Sequence, residues 1–171
     1  MPDASSLFAA QNPHYVIDTN VILGFLKKTA DEAWGSDAFP HHWRLIESML
    51  RDGRIVSTVS VHAELMDWQD RVIGLSHWMK VFRSVFLPPS TEQLQWAKRI
   101  TNAYPVYGRS TNFEADLMVM ALSGALSAAA FCAEKPSGHG PKKPKMPYVC
   151  NEHGIDFVTV SEFFRREPVG M

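Results

Sequence analysis

Tyr15-Val-Ile-Asp-Thr-Asn-Val-Ile22 decides how the rest of the chain is read. An apolar run ends in a carboxylate, and a polar pair then opens a second apolar run. His14 to Asp18 reads as a short strand with Asp18 at its carboxyl end, and Asn20 to Lys28 as the helix that follows. The alternation continues outward. Pro40 to Asp52 is a helix, with Trp43, Ile46, Met49 and Leu50 near the helical period, and Asp52-Gly53 stops it. Arg54 to Thr58 is a second strand. Ser60 can cap a helix running through Glu64 to about Trp68. Val72 to Phe86 contains another helix, closed off by Pro88-Pro89, and Ser90 or Thr91 opens one to about Asn102. Thr111-Asn112-Phe113-Glu114 has capping-box spacing ahead of an almost wholly apolar helix from Leu117 to Leu122. Ala129 to Cys132 is a strand, Pro147 to His153 a helix with Gly154 behind it, Phe157 to Val160 the last strand and Ser161 to Arg166 the last helix. Strands alternating with helices predict an α/β fold with a mostly parallel sheet of about four or five strands, flanked by helices. In such sheets sites form at the carboxyl ends of strands, where Asp18 stands.

Composition bounds the function. The chain has 171 residues, 46% hydrophobic and 20% charged, the balance of an ordinary globular protein. We expect residues 1–171 to be a single domain, with 1–13 as an N-terminal extension and 135–146 as a basic Pro/Gly loop. A net charge of -1 excludes coating nucleic acid by bulk charge, so any such contact is local. Cys132 and Cys150 are too few for a disulfide framework, and reduced thiols in a cytoplasmic protein are the simpler expectation. The N-terminus shows no signal-peptide pattern. The longest apolar stretch, Leu117 to Ala133, is interrupted by Ser123, Gly124 and Ser127, and falls short of the ~20 residues of a membrane span. It reads as a buried helix followed by a strand.

Three carboxylates stand out by their neighbours. Asp18 closes an apolar strand, Glu64 lies in a helix just after the second strand, and Asp116 is in the first turns of the most apolar helix. Each has an ordinary explanation on its own: a capping neighbour, a solvated face, a charge favouring a helix N-terminus. Together, at three element ends that a parallel sheet can bring to one point, they read as a metal site. A carboxylate at the edge of a buried element is costly unless paired or bound to a cation. Acidic ligands without cysteines or a histidine pair favour Mg²⁺ or Mn²⁺. Such an ion supports metal-assisted hydrolysis of a phosphodiester.

The opening Tyr15 to Ile22, the run Ser60-Val-His-Ala-Glu-Leu65 and the run Ala115-Asp-Leu-Met-Val-Met-Ala-Leu122 resemble, in this order, the acidic motifs of the PIN-domain nucleases. The chain is more similar still to a PIN-like family of unknown function, DUF4411. There Phe39-Pro-His-His-Trp43, Gly53-Arg-Ile-Val-Ser57 and Lys145-Met-Pro-Tyr-Val-Cys150 have counterparts. The resemblance runs from about Tyr15 to Arg166. It departs at Tyr148, where an aspartate is expected, at Ala115, where a glycine is, and at Leu117, where proline is common. It implies a three-layer PIN-like fold and an Mg²⁺- or Mn²⁺-dependent ribonuclease, often the toxin of a type II toxin–antitoxin pair. The partners it implies are an RNA substrate and an antitoxin protein. Asp18, Glu64 and Asp116 would ligate the ion directly or through water. Glu134 would be a fourth acidic residue of the catalytic set, longer than the usual aspartate. Thr19, Asn20 and Asn112 would support these from behind, with Thr19 and Asn20 orienting Asp18.

Other signals are weaker. Glu114 points away from Asp116 on a helix and suits capping better. Cys150-Asn-Glu-His153 has half the spacing of a zinc site, but a second half from Cys132 and His139 is contrived, and buried thiols are the simpler expectation. His41 and His42 read as solvated. Trp43, Trp68, Trp78 and Trp96 read as core or dimer contacts, and the Trp- and Met-rich middle could hold a homodimer interface or an antitoxin groove. Lys135, Lys142, Lys143 and Lys145 form the most basic run of the chain and could guide an RNA backbone toward the acidic centre. A phosphatase using Asp18 as nucleophile would want an aspartate where Asn20 stands. The remaining alternative is a catalytically inactive PIN-like binding or partner module.

Overall fold

The computed structural model describes residues 12–27, 35–134 and 144–170. Tyr15–Ile17 (β1), Ile55–Thr58 (β2) and Ala129–Phe131 (β4) are buried at every position. Strands without an exposed face belong in the middle of a covered parallel sheet. Phe86–Leu87 (β3) and Phe157–Val158 (β5) form its edges, in the order β3-β2-β1-β4-β5, and every pairing is parallel. Val16 lies opposite Val56 on one side and Ala130 on the other. The α/β expectation is met with five strands, and the sheet is parallel throughout rather than mostly so.

The helices that flank the sheet are Thr19–Lys27 (α1), Pro40–Arg51 (α2), Val59–Met66 (α3), Leu75–Val81 (α4), Thr91–Ala103 (α5), Val106–Arg109 (α6), Glu114–Leu126 (α7), Met146–Glu152 (α8) and Val160–Arg166 (α9). Gly53, at φ 75°, ends α2 in the left-handed conformation that an L side chain resists. Side-chain oxygens of Thr58, Ser90 and Thr159 accept from the N–H groups of Val61, Gln93 and Glu162 at 3.2, 3.1 and 3.2 Å. Each such cap contributes about 1 kcal/mol.

Two caps differ from the sequence expectation. Thr58, not Ser60, caps α3, because the helix begins where the extended backbone of β2 ends (Thr58 φ -115°, ψ 157°). Ser110, not Thr111, accepts from the Asn112 N–H, and it caps a 3₁₀ turn, Thr111–Phe113. α7 starts behind that turn at Glu114 with no side-chain cap, so Thr111 and Glu114 form no capping box. The segment from Val72 to Phe86 holds only the short α4, a 3₁₀ turn at Arg83–Val85 and the start of β3.

Aromatic stacking fixes the helices on the sheet. Phe163 of α9 stacks on Phe131 of β4 at 4.4 Å and meets Tyr15 of β1 edge-on at 5.0 Å. Phe25, Trp43 and Trp78 form a second stack, at 4.9 and 5.8 Å. A fully buried side chain of this size contributes roughly 2–3 kcal/mol. Trp43 and Trp78 are therefore core, while Trp68 and Trp96 are half-buried at its margin beneath the cations of Lys27 and Arg99. α5 packs along α7 in the most extensive helix pair of the described residues. No helix among the described residues is long and apolar enough to cross a membrane. Lys135, Lys142, Lys143 and His139 lie outside the described residues; Lys145 is exposed.

The chain builds β1, β2 and β3 toward one edge, then returns to add β4 and β5 on the other side of β1. The direction of winding reverses between β1 and β4, and the carboxyl ends of those two strands flank a crevice of the kind where α/β sheets bind ligands. The crevice floor is tied down by the Asp18 N–H, which donates to the Phe131 carbonyl at 2.9 Å. The Ser57 hydroxyl donates to the Ile17 carbonyl at 2.7 Å.

Candidate active site

Asp18 follows β1 directly and is 3% exposed. Glu64 projects from α3 after β2, and Asp116 from the first turn of α7; both are partly buried. Glu134 lies three residues beyond β4, with one carboxylate oxygen, Oε2, fully buried and without a hydrogen-bond partner. The charges of Asp116, Glu64 and Glu134 all act on Asp18, and those of Glu134 and Glu64 act on Asp116. Four carboxylates selected from sequence thus share one neighbourhood at the carboxyl ends of β1, β2 and β4.

No basic side chain among the described residues is ion-paired with them. The ion pairs of the described residues join Arg54 to Asp52, Arg165 and Arg166 to Glu162, and Arg166 to Asp156, and include none of the four. Burial raises the Asp18 carboxyl well above the usual range, Asp116 raises it further, and a hydrogen bond from the Thr19 backbone amide opposes the rise. Burial, then Glu134 and Glu64, push Asp116 up to about 7. Glu64 is raised by burial and by Asp67. The Thr19 hydroxyl faces Glu64 closely enough to pull the other way, yet falls short of hydrogen-bond geometry, and its oxygen is buried without a partner.

These shifts predict a pH profile for the metal-free protein. A carboxyl whose folded pKa exceeds its unfolded value binds more protons when folded, so its stabilising contribution is complete below about pH 4 and is lost as pH rises through the folded value. For Asp116 that window runs from about 4 to about 7. Two units of that window lie between pH 5 and pH 8; at ~1.4 kcal/mol per unit, counted at half for coupling and solvent, unfolding should cost ~1.4 kcal/mol less at about pH 8 than at about pH 5. Urea unfolding in EDTA at the two pH values measures this, and Asp116→Asn should flatten the difference. His42, lowered by burial and then by His41, works in the opposite sense below about pH 6.5, which is why the variant is needed.

An oxygen-only donor set, buried, crowded and unneutralised, fits a hard divalent ion in its chemistry. The orphaned oxygens of Glu134 and Thr19 fit it too. As the side chains stand, no three of the described His, Cys, Asp and Glu residues converge closely enough to hold one ion. Beside Glu64 a groove of about 580 Å³ opens between α3 and the start of α7, lined by Ser60, Glu64, Asp67, Thr111, Asn112 and Glu114. Of the four carboxylates, Glu64 is the one that lines it.

The other sequence-selected residues divide. Thr19 is buried between Asp18 and Glu64, serving one through its backbone amide and facing the other with its hydroxyl. Asn20 is exposed and is not among the groups acting on the Asp18 carboxyl. Asn112 is exposed on the groove wall. Glu114 points to solvent while Asp116 turns inward. Tyr148 packs edge-on against Tyr104 at 6.2 Å, so the departure at that position is a packing contact between the end of α5 and α8. Cys132 and Cys150 are buried free thiols; burial first raises both, Cys150 to about 12, which leaves them inert. Sequence reasoning missed Asp67, and it missed Tyr107, a buried phenol beside Asp116 and Glu134. The aromatic hydroxyl between Pro105 and Gly108, in a stretch assigned to no element, was the available signal.

The model of the family described as a domain of unknown function (DUF4411) matches residues 15–171. The fold is similar to that of a chain in the crystal structure of VapBC2 from Rickettsia felis bound to a DNA fragment from their promoter. The TM-score is 0.50, with 14% sequence identity over 85% of this chain and 97% of that chain. No curated protein matches the chain significantly in sequence. At 14% identity the structural likeness speaks for the fold alone.

Proposed function

The chain belongs to the DUF4411 family, and from that premise we propose that it is a PIN-like, metal-dependent endoribonuclease, the toxin of a type II toxin–antitoxin pair. The observation that carries the reading is the set of four carboxylates around a 3%-exposed Asp18, with no basic partner among the described residues. Buried acidic clusters of this kind are stable when a cation neutralises them. Asp18, Glu64 and Asp116 would hold Mg²⁺ or Mn²⁺, with Glu134 beside them. The ion supplies polarisation of the scissile phosphate and activation of water for hydrolysis.

The chain's own residues do the rest. Thr19 steadies Asp18 through its amide and turns its unpartnered hydroxyl toward Glu64. Asp116, raised to about 7 in the metal-free protein, gives up its proton when it ligates the ion, so ion binding should release protons near neutral pH. The groove along Ser60, Asn112 and Glu64 offers a strand of RNA an approach to the carboxylates. The antitoxin partner rests on the family resemblance, with the VapBC2 assembly on promoter DNA as its parallel.

The deciding experiment incubates purified protein with total RNA in Mg²⁺, in Mn²⁺ and in EDTA. Cleavage with either ion and none in EDTA is the expected result. A second reading, an inactive PIN-like partner module, is favoured because no three of the described His, Cys, Asp and Glu side chains converge on one point. Calorimetric titration with Mn²⁺ separates the two: the nuclease takes up the ion at the cluster, and the inactive module takes up none.

A further inference from the structure

We propose that Tyr107 is a positioning residue for the RNA strand: its hydroxyl clips the Pro144 carbonyl, and the clip sets Lys145 at the rim of the acidic centre to meet a substrate phosphate. The inference rests on the nuclease reading and goes beyond it by naming a phosphate contact and the residue that places it.

Tyr107 sits on the single-turn helix α6 and is 3% exposed. Its ring meets Phe113 edge-on at 5.8 Å, which seats it against the turn that runs directly into α7, the helix that carries Asp116. Its hydroxyl donates to the Pro144 carbonyl at 2.7 Å, across 37 residues of sequence. Burial, and then the charges of Asp116 and Glu134, raise the phenol far above its ordinary range. The carbonyl it holds is thereby tied to a side chain packed on Phe113, at the turn that leads into the helix of Asp116. Lys145 is the next residue. It is exposed, in extended backbone (φ -96°, ψ 167°) ahead of α8, and its side chain neither caps that helix nor joins an ion pair of the described residues.

An acidic cleft that must accept a polyanion needs cations at its edge, since contacts to phosphate set position and register. A long, flexible lysine provides this only if its backbone is fixed: the Val149 N–H donates to the Lys145 carbonyl at 3.0 Å on the helix side, and the Tyr107 hydroxyl ties the preceding Pro144 carbonyl on the other.

The test titrates a labelled single-stranded RNA by anisotropy, in Ca²⁺ and at several salt concentrations, against wild type, Tyr107→Phe, Lys145→Gln and the double variant. Melting temperatures are recorded for each, and wild-type cleavage in Mn²⁺ is scored in parallel. Each single change should weaken binding about fivefold and lower the slope of log affinity against log salt by about 0.7, one phosphate contact on a single strand. The double variant should bind no more weakly than Lys145→Gln. Tyr107→Phe that binds as wild type, or that adds its full effect to Lys145→Gln, overturns the proposal while wild-type cleavage leaves the nuclease reading standing. Should Tyr107→Phe fail to fold, unchanged affinity and salt slope in Lys145→Gln overturn it alone. Wild type that neither binds nor cleaves RNA removes both.

Discussion

Asp18→Asn should abolish RNA cleavage and, in the metal-free protein, raise the melting temperature. The two effects have one cause. An amide matches the carboxylate in size and keeps an oxygen to accept from the Thr19 backbone amide. It removes a charge from a position 3% exposed and crowded by Asp116, Glu64 and Glu134. Burying an ionised carboxylate without a partner is costly, and a raised pKa is the sign that the folded state bears that cost. Relief of about 1–2 kcal/mol would lift the melting temperature by about 2–8 °C in a chain of this length. The same change should lower the cleavage rate about a thousandfold or more, as removal of a central electrostatic group does. Asp156→Asn is the contrasting control. Its carboxyl is held below the ordinary range by the Arg166 guanidinium at 2.6 Å, so neutralising it should not stabilise. Differential scanning fluorimetry in EDTA beside an RNA cleavage assay reads both arms. Cleavage that survives Asp18→Asn with a lowered melting temperature would make Asp18 a structural residue and remove it from the proposed metal centre.

Glu134 came only from the resemblance to the PIN-domain nucleases, whereas Asp18, Glu64 and Asp116 stood out in the sequence because each is an acid at the margin of an apolar run. The all-buried strands around Val16, Val56 and Ala130 were legible for the same reason: such runs fit only the middle of a covered sheet. What failed to show is what long-range pairing creates. β3 is two residues long and exists because Phe86 and Leu87 pair with Ser57 and Thr58, a partnership no local pattern announces. The cap at Thr58 was displaced to Ser60 because a residue at the end of a strand and one in the first turn of a helix look alike without the backbone angles. Asn20 shows the reverse error. The resemblance to the PIN-domain nucleases implied that it orients the Asp18 carboxyl, but a helix starting at Thr19 turns it to solvent. Tyr107 was invisible because its meaning depends on Pro144, Asp116 and Glu134 arriving together. Local chemistry thus named the charged centre, and tertiary contacts determined what supports it.

Gly124→Ala should destabilise the protein by about 2 kcal/mol, against the gain of about 1 kcal/mol that alanine brings to a helix interior. In the sequence Gly124 is an interruption of an apolar run. In the fold it is where α5 and α7 come together. A Cβ at this position would stand 2.5 Å from Cδ2 and 2.8 Å from Cε2 of Trp96, the fused edge of the indole. These atoms move only with the whole ring, over which Arg99 is packed at 4.4 Å. Nor can α5 withdraw freely, since the buried Gln93 donates to the Met118 carbonyl of α7 at 3.1 Å, and its own Oε1 already lacks a partner. The two helices must separate locally or α7 must slide. Asp116 is eight residues toward the N-terminus on the same helix, about 12 Å away by helical rise, so sliding moves a carboxylate of the acidic centre. The melting temperature should fall by about 4–8 °C, and ion-dependent cleavage should weaken, although the substitution lies far from the site. Trp96→Leu removes the clash, so Gly124→Ala should cost less in that background than in wild type, and the double-mutant cycle measures the coupling directly. Equal costs in the two backgrounds would place the close approach of α5 and α7 elsewhere along the pair, and a stabilised Gly124→Ala would mean that helix propensity outweighs packing at this crossing.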